Sequence, residues 1–118
     1  MDKKRKGDYG EAMAALHLRA QGYAILARRY RTQRGEIDLI AKEGETVVFA
    51  EVKARSDARL SRPCEAVDGK KRQRLRLAAE QWLAETGWTG FCRFDVIEVL
   101  LAEEENGLPQ VNQIVNAF

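Results

Sequence analysis

The sequence predicts an α/β fold: a mixed central sheet flanked by helices, with elements in the order α-β-β-β-α-β and a short last strand. Three observations predict it. The chain has 118 residues, one domain's worth with no room for two independent cores. Two stretches, 7–21 and 70–85, carry helical periodicity, and the segments between and after them alternate or run apolar as strands do. A helix lying between strand segments implies a mixed sheet with helices against it.

Residues 1–6 read as a flexible basic tail, and 7–118 as a single domain. From Gly7 to Gln21, Tyr9, Met13, Leu16 and Ala20 form one stripe, and Ala14, Ala15 and Leu18 a second. Two stripes predict a sandwiched helix. Glu11 falls on the second stripe and is expected to point inward. Gly22 suits the position just past the helix end. An extended stretch follows to Tyr30, then an arginine-rich loop. Two facing strands, 35–41 and 46–53, are joined by Lys42-Glu43-Gly44-Glu45, a short glycine-containing hairpin connection. A polar loop containing Pro63 leads to the second helix, whose buried stripe is Leu75, Ala78, Ala79 and Trp82 and which ends at Gly87. Residues 91–102 form another strand, 103–107 a turn, and 110–115 a short last strand.

Hydrophobic residues make up 45% and charged residues 32%, which excludes a disordered chain. No apolar run approaches the ~18 residues of a membrane span. The basic start leads into no apolar region, so no signal peptide is read and a cytoplasmic location is expected. The net charge of +2 hides an asymmetry: residues 1–76 carry 19 of the 20 Lys/Arg and 11 of the 18 Asp/Glu. That basic segment suits a polyanion better than the overall balance does. Cys64 and Cys92 with a lone His17 cannot make a four-ligand zinc site, and His17 lies near no evident nucleophile. Chemistry here must run on carboxylates, lysines and arginines.

The informative constellation is in the hairpin. With Gly44 and Glu45 at the turn, Asp38 lies opposite Glu51 and Glu36 opposite Lys53, and alternation places all four on one face. A turn centred on Glu43-Gly44 would instead set Asp38 against Phe49. Adjacent carboxylates repel unless a cation sits between them or one is protonated. Two carboxylates with waters and substrate oxygens are a ligand set for Mg²⁺, and a nearby lysine can hold a phosphate or orient a water. The plain alternative is cross-strand ion pairing of Lys53 with Glu36 and Glu51. A retaining glycosidase would also use two close carboxylates. However, aromatic residues are only 8%, and Arg28, Arg29, Arg31, Arg34 and Arg55 around the acids suit a phosphate-rich polymer better.

Asp38 followed by Glu51-Val52-Lys53 resembles the D…(D/E)xK signature of the PD-(D/E)xK nuclease superfamily. A wider set falls in order: Gly10-Glu11-xx-Ala14-xxx-Leu18-xxx-Gly22-Tyr23, Gly35-Glu36-Ile37-Asp38-Leu39-Ile40, Phe49-Ala50-Glu51-Val52-Lys53, Ala66-Val67 with Lys71, and Cys92-Arg93-Phe94-Asp95-Val96. Together these resemble the YraN-like family of small bacterial proteins, predicted endonucleases distantly related to Holliday-junction resolvases. The resemblance runs from about Gly7 to Phe118.

It implies a restriction-endonuclease-like core and a Mg-dependent endodeoxyribonuclease acting on branched or structured DNA. It implies that Asp38 and Glu51 ligate Mg²⁺ or Mn²⁺, with Glu11 as an additional acid at the metal. Lys53 would orient or activate the attacking water, and Lys71 would reach the substrate phosphate. Analogy with resolvases implies a homodimer. Ile37 stands where the superfamily has proline, and Arg72 where the family often has glutamine, which leaves Gln73 without a clear role. The other reading is a non-catalytic nucleic-acid-binding protein on a nuclease fold; a third makes RNA the substrate. Asp95 beside Arg93 reads as structural, Trp82 as core and Trp88 as a partly exposed loop residue.

Overall fold

The computed structural model describes residues 2–56, 68–102 and 107–118. Pro63, Cys64, Ala66, Val67 and the turn residues 103–106 lie outside them. Seven elements follow in order: α1 (Lys3–Ala20), β1 (Ala24–Arg31), β2 (Glu36–Glu43), β3 (Thr46–Arg55), α2 (Gly69–Thr86), β4 (Phe91–Leu100) and β5 (Gln110–Ile114). The strands form one five-stranded sheet in the order β1-β2-β3-β4-β5. Neighbours are antiparallel except β3 and β4, which are parallel. That parallel pair needs a crossover, and α2 lies within it.

Helix α1 begins at Lys3, earlier than the tail reading of residues 1–6 allowed. The Asp2 carboxylate caps it, accepting the Arg5 N–H at 2.8 Å. It buries a single face: Gly10, Glu11, Ala14, Ala15 and Leu18. The Tyr9, Met13, Leu16 and Ala20 stripe is not fully covered: Tyr9 and Met13 are half-buried, Ala20 is exposed and Leu16 is 54% exposed. The expected sandwich is therefore a one-sided packing, with α1 laid on Leu39, Ala41, Val48, Ala50, Ile97 and Val99. The other sheet face is covered by α2, whose Leu75, Ala78, Ala79 and Trp82 pack on Ile37, Ile40, Val47, Phe49 and Val96. Trp82 meets Phe49 edge-on, with ring centroids 5.7 Å apart.

Two glycines set how closely the helices approach. A Cβ on Gly10 would stand 2.7 Å from the Ala54 Cβ, so α1 lies directly against β3. A Cβ on Gly35 would stand 2.1 Å from the Arg74 carbonyl oxygen. The entry to β2 thus rests on the backbone of α2, which brings residues 36–38 beside the start of that helix.

Asp95 is fully buried and works as a structural hub. It accepts from Arg93 Nε at 3.0 Å, Gln113 Nε2 at 2.9 Å and the Asn116 N–H at 3.1 Å. Arg93 also donates to the Tyr23 hydroxyl at 2.7 Å. This network fastens β4, β5 and the C-terminal residues to the end of α1.

Candidate active site

The hairpin turns at Gly44-Glu45, with Gly44 at φ +58°, a value glycine adopts freely. The register follows: Glu43 pairs with Thr46, and pairing continues to Leu39 with Ala50. One step further on, Asp38 does not continue the ladder. Its carboxylate accepts the Val52 backbone N–H at 2.8 Å. A side chain has taken a backbone carbonyl's place, and the strands open there.

The same point interrupts β2's alternation. Ile37 and Ile40 pack on the α2 side, whereas Leu39 and Ala41 pack on the α1 side. Across the ladder, Arg28 pairs with Leu39 and Tyr30 with Ile37. Arg29 between them has φ +52°, an uncommon conformation for a residue with a Cβ. The carboxylates and the arginines converge where the sheet is least regular.

Asp38 and Glu51 do meet. Their carboxyl groups lie within hydrogen-bonding reach of each other. Burial first, and then the Glu51 charge, raise the Asp38 pKa from an ordinary 3.8 to about 7; the Val52 N–H and the Lys71 charge act the other way. Glu51 is only 6% exposed. Its Oε1 receives the Lys71 ammonium at 2.5 Å and the Lys53 ammonium more loosely at 3.6 Å. Burial works against the charge on Lys71, but its bond to Glu51 carries its pKa above the usual value. Burial, and then the adjacent Lys71, hold Lys53 below it. The structure therefore brings together Asp38, Glu51, Lys53 and Lys71, two acids and two amines from β2, β3 and α2.

Glu36, expected on the same face, stands at the edge of this group, lining a small cavity with Glu51 and Lys71. It is exposed, and it pairs with Arg31 at 3.3 Å because β2 has opened away from β3 by that point.

Glu11 points inward as its stripe predicts, but it is held by arginines. Arg28 Nε bonds Oε1 at 3.1 Å and Arg29 Nε bonds Oε2 at 2.9 Å. Arg29 also reaches Asp8. Among the described residues no three of His, Cys, Asp and Glu stand together as a metal-ligand group. Glu11 and Asp38 do share a cleft of about 300 Å³, with Lys3, Lys4, Arg29 and Arg31 among the other residues lining it. Of the remaining arginines, Arg34 is exposed beside the turn that Thr32 closes, where the Thr32 hydroxyl accepts the Arg34 N–H at 3.1 Å. Arg55 is half-buried at the end of β3. A smaller cavity, which shares Glu36 with that cleft, is lined by Glu36, Glu51, Lys71, Arg74 and Leu75.

One buried acid escaped the sequence reading. Glu98 on β4 is 4% exposed and stands in register with Lys53. Only the parallel pairing of β3 with β4 brings it there, and hairpin arithmetic cannot supply that. The available signal is its place three residues after Asp95, a single charge among the apolar Val96, Ile97, Val99 and Leu100.

The donor set fits a divalent cation. Two carboxylates converge, one of them is disfavoured as an anion when alone with the other, and ammonium groups supply the compensating charge. Asp38 and Glu51 would hold the ion, with water and substrate oxygens completing its shell.

Comparison with known proteins agrees with the wide sequence resemblance. Residues 10–99 match the uncharacterised protein family UPF0102. A UPF0102 protein of Moorella thermoacetica is 48% identical over 119 aligned residues, covering all of this chain and 98% of the relative. One from Clostridioides difficile is 41% identical over the full length of both chains. One from Frankia casuarinae is 43% identical over 98% of each. The chain belongs to the UPF0102 family.

Proposed function

We propose that this protein is a metal-dependent endonuclease of the PD-(D/E)xK type that hydrolyses phosphodiesters in DNA, branched or structured DNA being the expected substrate. The observation that carries this reading is the meeting of Asp38 and Glu51 at the point where β2 and β3 part, with Lys53 and Lys71 against Glu51. When bound, Mg²⁺ or Mn²⁺ would polarise the phosphate and lower the pKa of a coordinated water.

The chain's own residues supply the rest. Asp38 is fixed by the Val52 N–H, so one of its oxygens is aimed before anything binds. Lys53, half-buried on β3, is placed to orient the attacking water and to offset charge building on the phosphate oxygens. Lys71, on the first turn of α2, can leave Glu51 for a substrate phosphate once another cation serves that carboxylate. Arg31, Arg34, Lys3 and Lys4 line or flank the cleft leading to Asp38 and suit backbone phosphates without reading sequence. Arg28 and Arg29 have a different first duty. By neutralising Glu11 they keep a buried carboxylate from repelling a polyanion.

The Glu11 clamp also favours a second reading, a nucleic-acid-binding protein that does not cut, because it leaves two rather than three acids for a metal. One experiment separates the two: incubation of branched and linear DNA, and matched RNA, with Mg²⁺ or Mn²⁺, comparing wild type with Asp38→Ala. The nuclease reading expects nicking by wild type only. Equal binding by both proteins with no cutting by either would establish the binding protein, and cutting of RNA alone would change the substrate.

A further inference from the structure

We propose that Glu98 is a positioning residue for Lys53: it receives the Lys53 ammonium when a divalent cation occupies Asp38 and Glu51. The inference rests on the metal-site reading above. Glu98 is 4% exposed, and its Oε1 has no hydrogen-bond partner among the described residues. Buried carboxylate oxygens are nearly always satisfied, so one left open calls for a reason.

Register supplies a partner. Along the parallel pair, Phe49 stands beside Phe94, Glu51 beside Val96 and Lys53 beside Glu98. Phe49, Phe94 and Val96 all pack on the α2 side, so alternation puts Glu51, Lys53 and Glu98 on that side too. Neighbouring strands lie about 4.8 Å apart, well within the reach of a lysine and a glutamate.

Lys53 is poorly served where it is. Its contact with Glu51 Oε1 is 3.6 Å, while Lys71 takes the same oxygen at 2.5 Å. The face thus reads Lys71, Glu51, Lys53, Glu98, alternating in sign, with the last acceptor open. A divalent ion on Glu51 removes Lys53's present counter-charge and places like charge beside it. Glu98 is the in-register carboxylate that can hold the ammonium next to the site instead of releasing it.

The test is nuclear magnetic resonance of the lysine ammonium groups and side-chain carboxyl carbons, for wild type and Glu98→Gln, with and without Mg²⁺. Glutamine keeps the side chain's length and removes its charge. In wild type, Mg²⁺ should shift the carboxyl carbons of Asp38, Glu51 and Glu98 with one midpoint and slow hydrogen exchange of the Lys53 ammonium. In Glu98→Gln, Asp38 and Glu51 should still respond while Lys53 gains no protection. If DNA is cleaved, the same variant should lower kcat by about 10- to 100-fold with KM little changed, as loss of an outer partner does. Equal Lys53 protection in both proteins overturns the proposal, as does a Glu98 carboxyl that ignores Mg²⁺ in wild type while Asp38 and Glu51 respond. Loss of protection at Arg55 instead of Lys53 also overturns it, assigning Glu98 to Arg55. No response at Asp38 and Glu51 overturns the metal site itself.

Discussion

Replacing Asp38 by asparagine should stabilise the protein at alkaline pH and leave it unchanged in acid. In the folded chain burial and Glu51 raise the Asp38 pKa from 3.8 to about 7. The folded state therefore keeps a proton between those values that the unfolded chain has released. Stability from this group is fully present below about pH 4 and is lost as the pH rises to about 7. At about 1.4 kcal/mol per pH unit, holding Asp38 ionised beyond pH 7 costs the fold roughly 4 kcal/mol. Asparagine carries no charge. Its carbonyl oxygen can still accept the Val52 N–H, and its amide can donate to Glu51. Glu51 and Lys71 readjust when the charge is removed, so a gain of about 2–4 kcal/mol is expected at pH 8. Urea unfolding of both proteins from pH 4 to pH 8, with a chelator present, measures it. The two should coincide near pH 4 and separate progressively to pH 7. A variant that is equally stable or less stable at pH 8 would refute the reasoning, because Asp38 would then be at ease as an anion beside Glu51.

The other expectations follow from single contacts. Gly35→Ala places a Cβ against the Arg74 carbonyl and should destabilise by about 1–3 kcal/mol in denaturant melts, the usual range for overpacking; a neutral result would mean β2 does not rest on α2. Asp95→Ala leaves donors on Arg93, Gln113 and Asn116 without their shared acceptor, and a loss of about 3–5 kcal/mol is expected. Lys71→Met removes a charge that lowers the Asp38 pKa, so the Asp38 carboxyl carbon should titrate above its wild-type midpoint; a lower midpoint would contradict the arrangement.

The sequence carried local rules well and long-range ones poorly. Gly44 placed the turn, and the turn set the register as far as Leu39 with Ala50; Asp38 then interacts with Glu51 from outside the ladder. The buried stripe of α2 and the inward Glu11 were legible for the same reason: each follows from periodicity within one element. What escaped depended on contacts between elements. The ladder stops before Asp38 because the Asp38 side chain takes the Val52 N–H, which a periodic pattern does not show. Arg28 and Arg29 read as phosphate contacts because their partner, Glu11, is one helix away. Leu16 read as buried because the pattern cannot say that only one side of α1 has anything to pack on. Glu98 needed the β3–β4 parallel pairing, and Tyr23 meets Gln113 across 90 residues of chain.

The most direct test of the metal site is a crystal soaked in Mn²⁺ and measured at a wavelength where manganese scatters anomalously. The account predicts one peak bridging the carboxylates of Asp38 and Glu51, at about 2.0–2.2 Å from each as for small divalent ions on oxygen, with Lys71 withdrawn from Glu51. A peak seated elsewhere, or a saturating soak that leaves both carboxylates without an ion and Lys71 still on Glu51, would contradict it.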